Sequence, residues 1–341
     1  MSSNVLGVDV QTEGFRGFFK LLKRQKYQLL GGGAAVKKCR WLHKSLTVGK
    51  GCYKQKFYGV ESHRCVQMSP TLRCNLKCRF CWRAHPSDVG LNEKGWVLVS
   101  RETLDAESIV KRSLEAQRKI LSGYKSQVLS GRIERKKYEE ALSPRHVAIS
   151  LDGEPTLWHD LDGLIEAYRR AGLTTFLVTN GTRPDVLKNL GREPTQLYIS
   201  LYAPNEKVFK NVCLPSSLSL WRDVLNSLSL LQSFKCPTVV RLTLVKDLNL
   251  LDPKGYGKIV EDAEPTYVEA KAYMYVGFSR MRLAFNNMPS HEDVKRFAEE
   301  VSKETGYRIV DECLESRVVL MSKLDKPIKL NQLISYVNSQ V

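Results

Sequence analysis

At 341 residues and 43% hydrophobic content, the chain can bury a large core, either as one α/β barrel or as two smaller domains. No apolar run approaches the roughly 18 residues of a membrane span, and the first twenty residues lack an apolar stretch followed by a small-residue cleavage site, so a cytoplasmic protein without membrane attachment is expected. A formal charge of +17, with a pI near 9.4, argues for a polyanionic partner, because lysine and arginine neutralise phosphates and release counterions.

The charge is uneven. Residues 1–64 hold thirteen Lys and Arg against three acids (Asp9, Glu13, Glu61), and nucleic acid is the polyanion that this asymmetry favours. Gly14 to Leu30 interleaves Phe15, Phe18, Phe19 and Leu22 with Lys20, Lys23 and Arg24, the pattern of a surface helix that Gly31-Gly32-Gly33 would end. Cys39, Cys52 and Cys65 follow at even spacing, C-x12-C-x12-C, in a lysine-rich stretch with no obvious core to join. Six of the nine cysteines fall between positions 39 and 81, a poor pattern for a disulfide framework and a good one for metal in a reducing compartment. An auxiliary [4Fe-4S] cluster on this trio is one reading; zinc completed by His43 or His63 is the other.

Cys74-Asn75-Leu76-Lys77-Cys78-Arg79-Phe80-Cys81 has the spacing C-x3-C-x2-C, with an aromatic residue directly before the last cysteine. Three thiolates on one tight loop can hold three irons of a [4Fe-4S] cube and leave the fourth open to a substrate or cofactor. A structural zinc site would need a fourth ligand, for which His85 is available. Trp82, next in sequence, would shield the cluster, offer a backbone contact to adenine, or join the core.

Arg101 to Leu121 reads as a helix with Val110, Leu114 and Leu121 on one face and Gly123 as its stop, and the charged segment 124–141 as an exposed insertion. From residue 145 strands and helices alternate. Strands are expected at Val147–Leu151, Thr175–Thr179, Leu197–Leu201, Val239–Val245 and Tyr267–Tyr275. Helices are expected up to Ala171, from Pro184, and over Trp221–Leu231 and Tyr256–Asp262, an order that implies parallel strands with crossover helices. Ser290 with Asp293 resembles a capping box that opens a further helix, before late strands at Tyr307–Val310 and Val318–Met321. Ligands bind at the carboxyl ends of parallel strands, where Asp152-Gly153-Glu154-Pro155, Thr179-Asn180-Gly181, and Ser200 with Tyr202 all stand.

The cysteine loop resembles that of the radical S-adenosylmethionine (SAM) superfamily, and Asp152-Gly153-Glu154-Pro155 is similar to that family's Gly-Gly-Glu-Pro loop, with Asp152 where the first glycine stands. The resemblance implies an α/β partial TIM barrel of (β/α)6 type, with SAM bound to the open iron. Glu154 would face the SAM ammonium, and Thr179, Asn180, Ser200, Tyr202, Phe80 and Trp82 would line the cofactor. Together with the even N-terminal trio and Glu269-Ala270-Lys271-Ala272-Tyr273, the pattern resembles the tRNA 4-demethylwyosine synthase family over essentially the whole chain.

That resemblance implies condensation of N1-methylguanosine-37 of tRNA-Phe with pyruvate, which contributes two carbons after loss of its carboxyl carbon. Pyruvate would be activated either by the auxiliary cluster acting as a Lewis acid or by Lys54 through a Schiff base, if burial or nearby charge depresses its pKa. Arg280 and Arg282, beside Phe278, are candidates for tRNA contact, as are Lys125, Arg132, Arg135, Lys136 and Lys137. Eukaryotic members carry a flavodoxin-like domain for which this chain has no room, so a separate electron donor is expected, and a monomer. The expected organisation is a basic extension over 1–66 with the auxiliary ligands, a barrel over 67–285, and a C-terminal α/β extension over 286–341. The rival readings are a radical SAM tRNA methylthiotransferase, which would need a separate preceding domain for its second cluster, and a non-enzymatic metal-bearing RNA-binding protein.

Overall fold

Apolar runs and amphipathic segments become strands and helices in two units of the computed structural model, which describes residues 13–90 and 104–332. One unit comprises Met1–Cys74 and His85–Leu177, the other Asn75–Ala84 and Val178–Val341.

The first unit runs through helix α1 (Glu13–Arg24), strands β1 (Tyr27–Gly31) and β2 (Ala34–Lys37), helices α2 (Arg40–Val48) and α3 (Tyr53–Tyr58), and strand β3 (Cys65–Ser69). Helices α4 (Ala106–Ser122), α5 (Lys125–Leu129) and α6 (Arg135–Leu142), strand β4 (His146–Ile149), helix α7 (Leu161–Arg170) and strand β5 (Thr174–Thr179) follow. β1, β2 and β3 pair antiparallel, whereas β3, β4 and β5 are parallel and require the helical crossovers between them. Val66, Met68, Val147, Ile149 and Phe176 are fully buried, as expected of parallel strands covered on both faces. The Tyr168 hydroxyl on α7 donates to Ser113 Oγ on α4 at 2.8 Å, which satisfies a polar group inside the helix layer.

Three sequence expectations change here. Leu29 to Val36 forms a hairpin rather than a helix end. Gly31, Gly32 and Gly33 all have positive φ (103°, 55° and 79°), which only glycine adopts without strain, and they turn β1 back onto β2. The expected surface helix also stops at Arg24, and Phe18, Phe19 and Leu22 are buried. Segment 124–141 is not simply exposed: Tyr124, Ile133, Tyr138 and Ala141 pack with Leu42 and Leu46 of α2 and Leu121 of α4, while Lys125, Arg132, Arg135 and Lys136 stay at the surface. α4 begins after Asp105, whose carboxylate accepts from the Ser108 amide at 2.8 Å; residues 101–103 of the expected helix lie outside the described residues.

The second unit contains α8 (Pro184–Lys188), β6 (Gln196–Leu201), α9 (Glu206–Cys213), α10 (Ser219–Ser229), β7 (Thr238–Leu244), α11 (Pro253–Ala263) and β8 (Tyr267–Ala272). It ends with α12 (His291–Glu304), β9 (Arg308–Cys313) and β10 (Val318–Ser322). β6, β7 and β8 are parallel; β10 joins β8 antiparallel and β9 joins β10. The Ser290–Asp293 capping box is present, with the Asp293 amide donating to Ser290 Oγ at 3.0 Å and the Ser290 amide to Asp293 Oδ2 at 2.8 Å. Helix α9, capped by Asn205, is an addition to the expected order. Among the described residues, no helix is long and apolar enough to cross a membrane.

Candidate active site

The cysteine loop leaves the first unit at Cys74, and Asn75–Ala84 belongs to the second. There its main chain is pinned to the end of α9: the Lys77 amide donates to the Cys213 carbonyl and the Arg79 amide to that of Val212, both at 2.9 Å. Cys78 is buried and its thiol shares a hydrogen bond with that of Cys213; this bond, together with burial, pushes the Cys78 thiol well up while the Arg282 charge opposes the shift. Nothing in the sequence around this isolated cysteine signals its place in the loop's support.

Phe80 packs against Tyr202 with ring centroids 4.9 Å apart. Burial holds the Tyr202 hydroxyl well above the usual phenol range, against a hydrogen bond with Ser200, so it remains a protonated donor. The Arg83 guanidinium lies 5.0 Å from the Trp82 ring centroid and donates to Cys81 Sγ at 3.9 Å.

Residues 277–282 strap the loop from the other side. The Phe278 amide donates to the Trp82 carbonyl at 2.9 Å, and Gly277, at φ +60°, lies so close to that carbonyl that a Cβ would collide with it. Arg282 donates to the carbonyls of Arg79 (3.3 Å), Cys81 and Arg83 (3.2 Å). Its guanidinium thus serves the loop's main chain. Arg280 differs: it is exposed, 5.3 Å from the Tyr275 ring centroid.

At the end of β5, the Thr179 hydroxyl accepts from the Gly181 amide at 3.1 Å. Asn180 donates to Asn75 Oδ1 at 3.1 Å, Asn75 donates to the Thr182 hydroxyl at 2.8 Å, and Thr182 donates to Asn180 Oδ1 at 2.6 Å. This closed triangle fixes the residue after Cys74. Asn75 was missed from sequence because it sits inside the motif as an unremarked spacer.

In the first unit, Asp152-Gly153-Glu154-Pro155 follows β4. Gly153 has φ +65° and lies against the Thr71 and Arg73 carbonyls, leaving no room for a side chain. The Glu154 amide donates to the Arg73 carbonyl at 2.6 Å, tying this turn to the residue before Cys74. Its buried carboxylate accepts from the Thr156 amide (3.1 Å) and hydroxyl (2.7 Å). Asp152, in place of the family's glycine, accepts from the Tyr27 hydroxyl at 3.2 Å and thereby engages β1.

The second trio converges from three elements. Cys39 precedes α2, Cys52 precedes α3 and Cys65 opens β3. Burial raises the Cys39 thiol, with the Cys52 sulfur adding to it and the Trp41 and Leu42 amides and Lys54 opposing. Burial also raises Cys65, reinforced by Cys39 and Cys52 and opposed by Lys54. The Cys39, Cys52 and Cys65 sulfurs and the Lys54 amine are thus electrostatically coupled. Half-buried Lys54, on α3, holds Nζ 4.6 Å from the Phe176 ring centroid. α3 itself is anchored by fully buried Phe57 and Tyr58.

The family model described as the radical SAM superfamily matches residues 68–255, and the one described as wyosine base formation matches residues 262–323. The S-adenosyl-L-methionine-dependent tRNA 4-demethylwyosine synthase of Pyrococcus abyssi is 46% identical over 310 residues, covering 89% of this chain and 88% of that protein. The chain belongs to the tRNA 4-demethylwyosine synthase family. The Methanocaldococcus jannaschii synthase is 37% identical over 91% of this chain and 97% of its own length. Among solved structures, TYW1 with a lysine-pyruvate adduct bound is 36% identical with a TM-score of 0.79, over 92% of this chain and 97% of that one. Archaeal TYW1 is 33% identical with a TM-score of 0.73, over 92% and 98%.

The α/β architecture is therefore the radical SAM fold, and membership of this synthase family brings SAM and a [4Fe-4S] cluster. The residues present suit both groups. The Cys74–Cys81 loop offers soft sulfur ligands on a main chain held by Cys213, Val212 and Arg282, and Glu154 offers a buried carboxylate of the sign an ammonium needs.

Proposed function

We propose that this protein condenses N1-methylguanosine-37 of tRNA-Phe with pyruvate to form the tricyclic base 4-demethylwyosine. The observation that supports it most is the position of Lys54, a half-buried amine gathered with Cys39 and Cys65 and lying over Phe176. A synthase structure similar to this chain carries a lysine-pyruvate adduct.

Cys74, Cys78 and Cys81 would hold the cluster that binds SAM, and Cys39, Cys52 and Cys65 an auxiliary [4Fe-4S] cluster. When bound, the first cluster and SAM supply the one-electron cleavage that gives access to a hydrogen of the N1-methyl group. The chain's own groups prepare that event. The Asn75–Asn180–Thr182 triangle and Arg282 keep the loop in one conformation, Phe80 and Tyr202 close it, and Glu154 pairs with the SAM ammonium.

Lys54 acts on pyruvate. Its neutral amine adds to the ketone carbon and the carbinolamine loses water; the carbon of the resulting C=N bond accepts the N1-methylene carbon, the C=N bond re-forms as the carboxyl carbon leaves with the unpaired electron, and the exocyclic guanine amine displaces Lys54 by imine exchange to close the ring. This assigns activation of pyruvate to the lysine, with the auxiliary trio beside it. Exposed Arg280 and the surface cations of α5 and α6 would meet tRNA phosphates, whereas the Arg282 donors are committed to the loop. A separate reductant would deliver electrons to a monomer. The methylthiotransferase reading has no support in residues 262–323, which match wyosine base formation.

The test incubates reduced, cluster-loaded enzyme with SAM, pyruvate and tRNA-Phe bearing either N1-methylguanosine or guanosine at position 37, followed by mass analysis of the nucleosides. Conversion of the methylated tRNA alone is expected. SAM cleavage with neither base altered would overturn the reading.

A further inference from the structure

Apart from the cysteine sites, the first unit gathers Glu61, His63, Glu140 and His146, and we propose that these four side chains bind a zinc-type divalent ion. Glu61 and His63 lie at the short turn leading into β3, Glu140 lies on α6, and His146 opens β4. Ligand atoms of Glu61, His63 and Glu140 all lie within 4.8 Å of one another, and His63 Nε2 is 2.9 Å from Glu140 Oε2.

His146 supplies the independent observation. It is 4% exposed, its Nε2 has no hydrogen-bond partner, and that atom points to Glu61, with Oε2 3.9 Å away. Its other nitrogen, Nδ1, is 2.7 Å from Thr174 Oγ1, while the Thr174 hydroxyl donates to the Arg145 carbonyl at 3.3 Å. With the threonine hydroxyl turned to that carbonyl, its oxygen accepts from Nδ1–H. Nε2 is left with a bare lone pair in a buried place, which is costly unless something uses it. An imidazole fixed through Nδ1–H to an outer acceptor is the form in which histidine ligates metal.

Two imidazoles and two carboxylates give an N2O2 set suited to four-coordinate zinc. Binding would replace the His63–Glu140 hydrogen bond by two metal bonds. Arg64, 3.6 Å from Glu61, opposes a cation, and the two carboxylates offset it. The ion would fasten α6 to the turn that ends at Arg64, directly before Cys65, bracing the strand that carries the last auxiliary cysteine. It takes no part in pyruvate or tRNA chemistry, so its failure and that of the proposed reaction are separable.

The experiment dialyses cluster-loaded enzyme anaerobically against zinc chloride, then against zinc-free buffer, and counts metals by elemental analysis. About one zinc per chain is expected, bound through nitrogen and oxygen at about 2.0–2.2 Å by X-ray absorption. Glu140→Gln, on a partly exposed helix, and His146→Gln should each reduce zinc to background with iron unchanged. No retained zinc, zinc retained equally by Glu140→Gln, or a sulfur shell at about 2.3 Å would overturn the proposal.

Discussion

Asn180 donates through Nδ2 to Oδ1 of Asn75 at 3.1 Å, so the turn after β5 and the first spacer of the cysteine loop hold each other in place. Asn180→Ala leaves Thr182 and Asn75 without their shared partner. It should cost about 1–3 kcal/mol, the usual penalty for buried groups left unsatisfied, and hasten iron loss from the loaded enzyme. Urea unfolding and timed iron release check this; unchanged values for both would remove the triangle from the loop's support.

Arg282 and Arg280 are two residues apart and should behave differently. Arg282→Ala removes donors to three carbonyls of the cluster loop and is expected to lower iron content and alter the spectrum of the reduced cluster. Arg280→Ala should leave both intact, weaken tRNA binding, and reduce the salt dependence of that binding by about one phosphate contact. Iron assay, electron paramagnetic resonance and binding titrations across salt separate the two roles.

The cysteine spacings and the order of parallel strands were legible because each depends on local pattern: sulfur spacing on a loop, and apolar runs between turn signals. The β1–β2 hairpin was not, since three glycines after an apolar segment end a helix as readily as they turn a hairpin. The buried face of segment 124–141 was hidden by its charges; Tyr124, Ile133, Tyr138 and Ala141 find their partners Leu42 and Leu46 far back in the chain. The loop contacts of Arg282 were hidden for the same reason. Its targets lie about two hundred residues earlier, and a basic residue near a strand end reads first as a phosphate contact.

Lys54→Ala should abolish both base formation and covalent trapping of labelled pyruvate by borohydride, while SAM cleavage persists. Lys54→Arg keeps the charge and should fail equally, because a guanidinium does not form the imine. Peptide mapping of the trapped wild-type protein should place the label on Lys54. Base formation at the wild-type rate by Lys54→Ala would shift pyruvate activation to the auxiliary trio.

Asp293 offers a pH signature. Partial burial raises its carboxyl, yet Lys246, 2.6 Å away, and the Ser290 cap outweigh that and lower it from 3.8 to about 2. A folded-state value below the unfolded one stabilises at pH above 3.8, and that stability is lost as pH falls through about 2. Asp293→Asn should therefore cost about 2 kcal/mol near neutrality. The difference from wild type should shrink as pH drops below 4, as measured by denaturant unfolding across that range.

The most direct measurement is isotopic. Reduced enzyme is supplied with SAM, tRNA-Phe containing N1-methylguanosine-37, and pyruvate labelled with carbon-13 either at both C2 and C3 or at C1 alone, and the modified nucleoside is weighed. Condensation with pyruvate predicts that the C2 and C3 labels both enter the base and the C1 label does not. A tricyclic base formed without label from C2 and C3, or carrying the C1 carbon, would contradict it.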